Sequence, residues 1–525
     1  MLALGLEGTA HTVSASVLDE KKIYSLESRT FKPEHGGLNP REAAEFHFLN
    51  ITDVITKAID DSGFKSGDLE LVGFSKGPGL PPSLKITAVA ARSLALKLGI
   101  PIVGVNHPLG HIEIGKRETG AKDPVMLYVS GGNTQIIAHR NRKYRVLGET
   151  LDIGIGNMLD KIARDMGYPF PGGPEIEKLA GNGNKLLKLP YSVYGMDCAF
   201  SGIYTAGKRL IGKNRKEDVA FSIQEYSFSM LVETLERAIF TSGKEEILLA
   251  GGVARNNRLR EMIQTMSTEA NVRVFETPDR YCMDNGAMIG QAAILTYREF
   301  GGQEIEDTAI NQLYRIDEVE APWVDECETT YENRGAESDM EFGTFHQWKT
   351  IRKIRKRKGY RLEELDRNIR NTRMRNELIL LGKMHSAGIN VPVVFSMDGK
   401  ISMLELEYIH GKRLSDFEDM EEKTLTDLAR SVTELHSAGI IHGDLTLNNI
   451  LESGGKLYII DPSMGKLSTV INDRTGDIRL LKESINARFG EEAYKKFEDL
   501  FLKMSKANLE TVGELGKMES RRRYA

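Results

Sequence analysis

Val125-Met-Leu-Tyr-Val129-Ser-Gly-Gly-Asn-Thr134 is an apolar run that passes directly into a glycine turn. The alternating stretch Gln135–His139, a polar turn and the stretch Tyr144–Glu149 follow, which predicts three strands joined by turns. The N-terminus repeats this order, because the apolar run Leu2–Leu6 passes into the turn at Glu7 and then into two further strand-like stretches. Such a duplication predicts two similar lobes that face each other.

Helical patterns separate these strands. Apolar residues recur at helical spacing in four long stretches, at residues 40–61, 84–98, 218–241 and 285–300. A third glycine turn, Gly251-Gly252, follows another apolar run and precedes a helix predicted to start near Asn256. The alternation of strands and helices predicts a mixed α/β fold.

The apolar periodicity stops near Ala321, where an acidic stretch begins that is typical of a linker. We therefore predict one domain at residues 1–323, a linker at 324–332 and a second domain at 333–525. A chain of 525 residues is long enough for two domains.

Composition narrows the class of protein. Hydrophobic residues make up 40% of the chain and charged residues 28%, which excludes wholesale disorder. The three cysteines lie far apart, so neither a disulfide framework nor a zinc ribbon is indicated. With no signal peptide and no stretch apolar enough to span a bilayer, we expect a cytoplasmic protein without a membrane partner.

The charge is unevenly distributed, although the net charge is only −5. Between Lys349 and Arg375 there are 12 lysines and arginines against three acids, and the chain ends on Arg521-Arg522-Arg523-Tyr-Ala. A basic block of this kind is either a solvated helix face or a surface that contacts nucleic-acid phosphates.

His107-Pro-Leu-Gly-His111 places two imidazoles four residues apart, so they would point the same way from one turn of helix. Imidazole pairs bind iron or zinc, which then need oxygen ligands from elsewhere. The alternative is two surface histidines beside a Pro-Gly kink. Pro108 stands where a His-Glu-x-x-His protease has its glutamate base, so protease chemistry lacks its proton-transfer group.

Many motifs in the first 323 residues resemble the tRNA N6-adenosine threonylcarbamoyltransferase of the archaeal and eukaryotic KEOPS complex, and they occur in that family's order. They are Gly77-Pro-Gly79, Val105-Asn-His-Pro-Leu-Gly-His-Ile-Glu113, Tyr128-Val-Ser-Gly-Gly-Asn-Thr134, Gly148-Glu-Thr150, Phe200-Ser-Gly202, Gly251-Gly-Val-Ala-Arg-Asn256 and Asp284-Asn-Gly-Ala-Met288. The resemblance implies a two-lobed fold like that of actin, Hsp70 and sugar kinases.

The resemblance also implies site residues. One metal ion, Fe²⁺ or alternatively Zn²⁺, would be held by His107, His111, Tyr128 and Asp284. Threonylcarbamoyl-AMP would be bound by Tyr128, Val129, Ser130, Gly131, Gly132, Asp160, Gly173, Glu177 and Asn256. The implied reaction transfers the threonylcarbamoyl group to N6 of adenosine 37 in ANN-decoding tRNAs, and a separate synthase would make the adenylate.

A second constellation lies near the C-terminus. His442-Gly-Asp444 is followed by Asn449, then by a strand and Asp461. Phosphoryl transfer from ATP needs one carboxylate, here Asp444, to orient the nucleophile, and Asn and Asp oxygens to hold Mg²⁺. The spacing therefore predicts an ATP site, with Lys353 as the phosphate-binding lysine and Glu377, on the following helix, as its ion-pair partner.

Residues 330–525 resemble the small RIO-like kinase of the same complex, through Lys358-Gly-Tyr-Arg361, Arg375-Asn-Glu377 and the motifs just given. The residues implied to bind ATP are Gly335, Ala336, Glu337, Lys353, Glu377, Asn449 and Asp461. The implied role is that of an atypical serine/threonine kinase or ATPase that supports the transfer and assembles with the other KEOPS subunits.

Two features depart from ordinary protein kinases. Pro462 and Ser463 follow Asp461 where Asp-Phe-Gly is usual, and only 525 − 461 = 64 residues remain after Asp461. An activation loop and a peptide platform do not fit in that length. The alternatives for the whole chain are a signalling protein kinase with a nucleotide-binding regulatory domain and an Hsp70-like chaperone ATPase.

Overall fold

The computed structural model describes residues 1–32, 39–327 and 338–522, with side chains as far as residue 517. The chain divides into two compact units. Unit 1 consists of residues 1–332 without the short segment 193–195, and unit 2 contains residues 333–525. No helix in the described ranges is long and apolar enough to cross a membrane.

Two five-stranded sheets form the framework of unit 1. The strands in residues 1–276 are β1 (Ala3–Glu7), β2 (Thr12–Leu18), β3 (Ile23–Thr30), β4 (Leu71–Gly77), β5 (Ile102–Asn106), β6 (Val125–Val129), β7 (Thr134–Arg140), β8 (Lys143–Glu149), β9 (Val193–Tyr194, in the short segment outside unit 1), β10 (Asp197–Cys198), β11 (Glu246–Ala250) and β12 (Arg273–Glu276). The first sheet has the order β3-β2-β1-β4-β5 and the second the order β8-β7-β6-β11-β12. In both, the first three strands are antiparallel and the last two join in parallel.

The two sheets therefore share one topology, which confirms the predicted duplication. The helices of unit 1 are α1 (Pro40–Ser62), α2 (Pro81–Leu98), α3 (His107–Thr119), α4 (Ile155–Asp165), α5 (Gly172–Ala180), α6 (Ser201–Leu210), α7 (Lys216–Ser242), α8 (Asn257–Ala270), α9 (Asp279–Cys282) and α10 (Gly286–Phe300). The four predicted helices correspond to α1, α2, α7 and α10, each within a few residues of the expected bounds.

Helix α3 carries the histidine pair, and its start is well defined. The Asn106 side chain accepts a hydrogen bond from the Leu109 amide, and Pro108 occupies the first turn, where its missing N–H costs nothing. Gly120 ends the helix in the left-handed conformation. A buried core surrounds α3, with Leu109 and Ile112 packed among residues of both sheets.

Unit 2 combines a small antiparallel sheet with a helical part. Its strands are β13 (Ser338–Phe345), β14 (Trp348–Arg355), β15 (Val394–Asp398), β16 (Met403–Glu407), β17 (Lys412–Arg413), β18 (Ile440–Ile441), β19 (Ile450–Ser453), β20 (Lys456–Ile459) and β21 (Lys466–Leu467). Its helices are α11 (Glu363–Ser386), α12 (Glu422–Ser437), α13 (Ile471–Phe489), α14 (Glu491–Met504) and α15 (Lys506–Arg522).

The sheet of unit 2 has the order β13-β14-β16-β15, and α11 packs beside it through Leu380, Leu381 and Met384. A second core fills the helical part, where Phe497 and Phe501 stack with their ring centroids 5.6 Å apart. The loop between β18 and β19 carries Asp444 and Asn449, and Asp461 lies two residues after the end of β20.

Candidate metal and nucleotide sites

The two histidines of α3 form the centre of the first site. His107 and His111 lie one turn apart at the start of the helix, with ring centroids separated by 4.8 Å. Both side chains are buried. The alternative of two surface histidines is therefore wrong, because α3 is enclosed by the core of unit 1.

Two oxygen donors complete this cluster. Tyr128, near the end of β6, places its hydroxyl 3.1 Å from His107 Nε2. Asp284, just before α10, places Oδ1 3.4 Å from His107 Nε2 and 3.3 Å from His111 Nε2. One donor atom each from His107, His111 and Asp284 lies within 4.8 Å of the others.

The cluster favours one positive charge. Burial disfavours a charged His107, but Tyr128, Glu7 and Asp284 surround the ring and raise its pKa well above the usual value. Burial likewise opposes the charge on Asp284, yet the two imidazoles hold its pKa well below the usual range. Burial lowers the pKa of His111. A cation held here is therefore compensated by the surrounding oxygens.

The donor set fits a first-row transition metal. Both imidazoles direct Nε2 toward the cluster, and the phenol and carboxylate add two oxygens, a mixture that suits iron and zinc. Glu7 strengthens the fit, since its Oε2 lies 3.1 Å from His107 Nδ1 on the far side of the ring. A carboxylate on the second nitrogen of a histidine is the usual support of a metal ligand.

Sequence reasoning missed Glu7, although it ends β1 in the turn that corresponds to the one after β6. Its Oε1 also accepts a hydrogen bond from the Thr9 amide at 2.7 Å, and the side chain is fully buried. An acid placed immediately after a buried strand was the available signal. Its partner lies 100 residues away, which only the folded structure reveals.

The glycine turns lie beside this cluster. The amides of Gly156 and Asn157, in the first turn of α4, donate to the carbonyls of Ser130 and Gly131. Gly132 has open space where a side chain would lie. The loop after β6 is thus tied to the N-terminus of α4 and keeps backbone groups accessible, as an anionic ligand requires.

Gly251 cannot be replaced without strain. Its φ is +94°, and an added Cβ would lie 2.2 Å from the Val129 carbonyl oxygen. Its amide also donates to the Cys282 carbonyl, two residues before Asp284. The third glycine turn is therefore in direct contact with β6 and linked to the segment that carries a predicted metal ligand.

The residues predicted to hold the adenosine half lie on α4, α5 and the start of α8. Asp160 Oδ1 accepts a hydrogen bond from the Gly172 amide at 2.7 Å, and burial raises the pKa of this carboxyl. An added Cβ on Gly173 would meet open space. Glu177 Oε1 accepts from the backbone and side chain of Asn257.

Asn256 is already engaged in structural bonds. Its Oδ1 caps α8 by accepting from the amides of Arg258 and Leu259, and its Nδ2 donates to Gln224 Oε1 at 3.2 Å. One N–H of the amide stays available for a ligand. The role of Asn256 in nucleotide binding stays a prediction.

In unit 2 the predicted ion pair is present. Lys353, on β14, lies 3.0 Å from Glu377 Oε1 on α11 and 2.6 Å from Asp461 Oδ1. Arg355 also contacts Glu377. Burial raises the pKa of Glu377, although both cations oppose that shift. Asp461 has φ +58°, an uncommon conformation for a residue other than glycine.

The loop with Asp444 is held by backbone and side-chain bonds. Asn449 Nδ2 donates to the Asp444 carbonyl at 2.8 Å and to its Oδ2 at 3.2 Å. Asp477 on α13, which sequence reasoning missed, accepts from the amides of His442 and Gly443 at 2.8 Å. The structure thus brings Asp444 and Asn449 together in one ordered loop.

Other predicted features fall elsewhere. Gly335, Ala336 and Glu337 lie outside the described residues. The basic block from 349 to 375 is partly structural, because Lys353, Arg355, Lys358 and Arg361 are buried. A solvated face or a phosphate-contacting surface would therefore have to be formed by the remaining cations of the block.

Comparison with known proteins identifies the family. A family model described as tRNA N6-adenosine threonylcarbamoyltransferase matches residues 22–291, and a RIO domain model matches residues 339–465. The chain belongs to the family of bifunctional tRNA threonylcarbamoyladenosine biosynthesis proteins. Proteins of these two domain families use a metal ion and ATP.

The similarity extends over whole chains. A protein of Thermoplasma volcanium named "Probable bifunctional tRNA threonylcarbamoyladenosine biosynthesis protein" is 53% identical over 95% of this chain and 95% of its own length. Proteins with the same name from Thermoplasma acidophilum and Methanothermobacter thermautotrophicus are 53% and 44% identical, over 92% and 100% of both chains. Membership favours the transferase interpretation over the signalling kinase and the chaperone.

Proposed function

We propose that unit 1 transfers the threonylcarbamoyl group from threonylcarbamoyl-AMP to N6 of adenosine 37 in ANN-decoding tRNAs. The observation that carries the proposal is the convergence of His107, His111, Tyr128 and Asp284 beside the glycine turns. Family membership supplies the reaction class. We further propose Fe²⁺ as the bound ion, because a phenolate is a hard anionic donor.

In the reaction, the N6 amine forms a bond to the carbamoyl carbon, and the bond from that carbon to the phosphate oxygen breaks. AMP and one proton leave. His107, His111, Tyr128 and Asp284 would hold the metal ion, which when bound would polarise the carbonyl as a Lewis acid and orient the threonyl group. The buried imidazoles and phenol would limit the access of water to the anhydride.

The remaining predicted residues would hold the leaving group. The backbone of Val129, Ser130, Gly131 and Gly132 would contact the phosphate, as expected for a glycine turn beside a helix N-terminus. Asp160, Gly173, Glu177 and Asn256 would position the nucleoside. Since AMP is shared by substrate and product, these contacts would bind both and set affinity more than rate.

The test is transfer of labelled threonine from threonylcarbamoyl-AMP to tRNA by the purified chain, with partner subunits added. We expect His107→Ala and His111→Ala each to lower the rate of transfer by at least about 100-fold, because each substitution removes a side chain that would ligate the metal directly. The matched control is His139→Gln, a buried histidine of the same unit that bonds to the Ala321 carbonyl instead. Undiminished transfer by both alanine variants would refute the metal role.

We propose that unit 2 hydrolyses ATP in support of the transfer. Asp444 would orient the attacking group, while Asn449 and Asp461 would hold Mg²⁺ and Lys353 would contact the phosphates. Gly335, Ala336 and Glu337 would cover the nucleotide. Pro462 lacks a backbone N–H and restricts the backbone of the preceding residue, Asp461. Because flexibility is common at this position, we expect ATP turnover to be slow.

ATP hydrolysis by the whole chain tests this second activity. We expect Asp444→Asn to abolish phosphate release in the presence of tRNA. Asp427→Asn is the control, since Asp427 forms a surface ion pair with Arg430. Absence of ATP hydrolysis by the parent chain with tRNA and partners present would leave unit 2 as a nucleotide-binding module.

The proposed reaction requires partners. They are tRNA, ATP, the other KEOPS subunits and a separate synthase that makes threonylcarbamoyl-AMP. We place the reaction in the cytoplasm, where three free cysteines are stable.

A further inference from the structure

A strongly basic surface lies on the helices that follow the β6 glycine turn. Residues 161–216 contain ten lysines and arginines against four acids, a net charge of +6 in a chain whose total is −5. All ten basic side chains are exposed. Of the acids, Asp197 is buried and accepts a hydrogen bond from the Glu149 amide, so the surface is more positive than the count suggests.

Four of these cations surround the C-terminal half of α4, and we name them the α4 basic surface: Lys161, Arg164, Lys208 and Lys216. Lys161 Nζ and Lys208 Nζ lie 5.9 Å and 5.8 Å from the centroid of the Tyr204 ring. Lys216 Nζ lies 5.1 Å from the Tyr168 ring centroid and 2.7 Å from the Met166 carbonyl oxygen.

These contacts hold the lysines without cancelling their charge. An aromatic face or a carbonyl attracts an ammonium group but leaves its net charge in place. Within the described part of the chain, Lys208 is the one member of the set that forms an ion pair, with Asp165 at 3.1 Å. The positive charge is therefore available to an external anion.

The position of the surface indicates which anion. The first turn of α4 is bonded to the glycine turn after β6, through the amides of Gly156 and Asn157. That turn is the predicted site of the AMP phosphate, and the attacking N6 amine must reach the carbamoyl carbon joined to this phosphate. The α4 basic surface begins at Lys161, roughly 8 Å further along the same helix, so RNA phosphates that flank the target adenosine would lie within its reach. Cations interleaved with tyrosine faces suit an unpaired RNA loop, because phosphates and bases can both be contacted.

We infer that the α4 basic surface binds the phosphates that flank the target adenosine of tRNA. This rests on the proposed function, since that reaction makes tRNA the substrate. The surface is distinct from the C-terminal arginines and from the basic block of unit 2. It would give unit 1 its own contact with the nucleic acid, on the helix whose N-terminus is bonded to the glycine turn after β6.

The test uses the whole chain with all four residues changed to glutamine, K161Q/R164Q/K208Q/K216Q. The dissociation constant for tRNA is measured at several salt concentrations. Each lost phosphate contact reduces the slope of log affinity against log salt by roughly 0.7 to 0.9, so we expect a reduction of about 3. The double variants K161Q/R164Q and K208Q/K216Q should each show about half of this reduction in slope.

The control is K85Q/K97Q, which removes two exposed lysines from α2. A quadruple variant with the parental slope, or with no larger change than this control, would overturn the inference. Thermal unfolding establishes that each variant is folded, and calorimetric binding of AMP should be unchanged.

Transfer kinetics separate this inference from the proposed function. If the parent transfers threonylcarbamoyl, the quadruple variant should show a KM for tRNA at least about tenfold higher, with a smaller change in kcat. A quadruple variant with the KM of the parent would refute tRNA binding by the α4 basic surface but would leave the proposed transferase activity unaffected. If the quadruple substitution lowers the salt slope as expected but the parent chain transfers nothing, the proposed transferase activity is refuted and the α4 basic surface stands.

Discussion

At the scale of single residues, the site depends on how each ligand is held as much as on the ligands themselves. His107 is supported on both ring nitrogens, by Glu7 on Nδ1 and by the ligand cluster on Nε2. His111 differs, because its buried Nδ1 has no hydrogen-bond partner among the described residues. Glu7 should therefore fix the ring of His107 and leave Nε2 available as a ligand.

Glu7→Gln should weaken metal binding about 10- to 100-fold, as loss of a carboxylate behind a ligating histidine typically does. Competition with a chelator measures the affinity, and the visible spectrum of the Co²⁺-loaded protein reports the geometry of the ligands. Glu113→Gln is the control, since Glu113 is also buried on α3 but accepts from Tyr144. Equal metal affinities for both variants would contradict the role of Glu7.

His47, on α1, should make stability depend on pH. Burial lowers its pKa from 6.5 to about 4. Because the folded state resists protonation, the unfolded state binds more protons between these values, and stability is lost as the pH falls through this window. From pH 7 to pH 5 the loss should be about 2 kcal/mol.

Denaturant unfolding of the parent and of His47→Gln at pH 7 and pH 5 measures this contribution. The variant lacks the titrating group. From pH 7 to pH 5 its free energy of unfolding should therefore fall by about 2 kcal/mol less than that of the parent. The comparison cancels the contribution of the carboxylates, which both proteins share. An identical pH dependence in the two proteins would show that His47 does not titrate in this way.

At the scale of elements, the glycine turns bring backbone from separate strands into contact. Gly251→Ala should destabilise the chain by about 1 to 3 kcal/mol, because its φ is positive and the new Cβ would clash with the Val129 carbonyl. It should also weaken AMP binding, since the loop after β6 would shift. Denaturation and calorimetry measure the two effects.

Gly252→Ala is the matched control for that prediction. It is the next residue in the same turn, and a Cβ added there meets nothing within 4 Å. Its stability should stay close to that of the parent. Equal destabilisation by both substitutions would mean that the close approach of Gly251 to Val129 is unimportant.

The elements differ in how well the sequence predicts them. Strands β1 and β6 end in glycine turns and lead into alternating stretches, so they were predictable. The parallel strands β4 and β5 were not, because they are buried on both faces and short apolar runs of that kind resemble a buried helix. The spacing of His107 and His111 predicted their common face, since four residues make one helical turn.

Site residues were likewise predictable where a short motif carries them and not where the partner is distant in sequence. Asp444 and Asn449 lie close in sequence, and their pairing followed from the motif. Glu7, Gln224 and Asp477 act on partners far along the chain, so their roles required the folded structure. The nucleoside contacts of Asp160, Gly173, Glu177 and Asn256 stay predictions.

At the scale of the whole molecule, tRNA affinity should draw on several separate basic regions. Deleting residues 521–525 removes three arginines in a row, and each lost phosphate contact should reduce the salt slope of tRNA binding by roughly 0.7 to 0.9. Binding measured at several salt concentrations, and ATP hydrolysis with tRNA present, check the deletion. No change in either quantity would reject a role for the tail.

Lys353 contacts both Glu377 and Asp461, and this shared contact has a consequence for nucleotide loading. A divalent cation entering beside Asp461 would compete with an ammonium group that already neutralises that carboxylate. Nucleotide phosphates relieve the competition, since they give the lysine new anionic partners. Magnesium and ATP should therefore enter together, and either one alone should bind poorly.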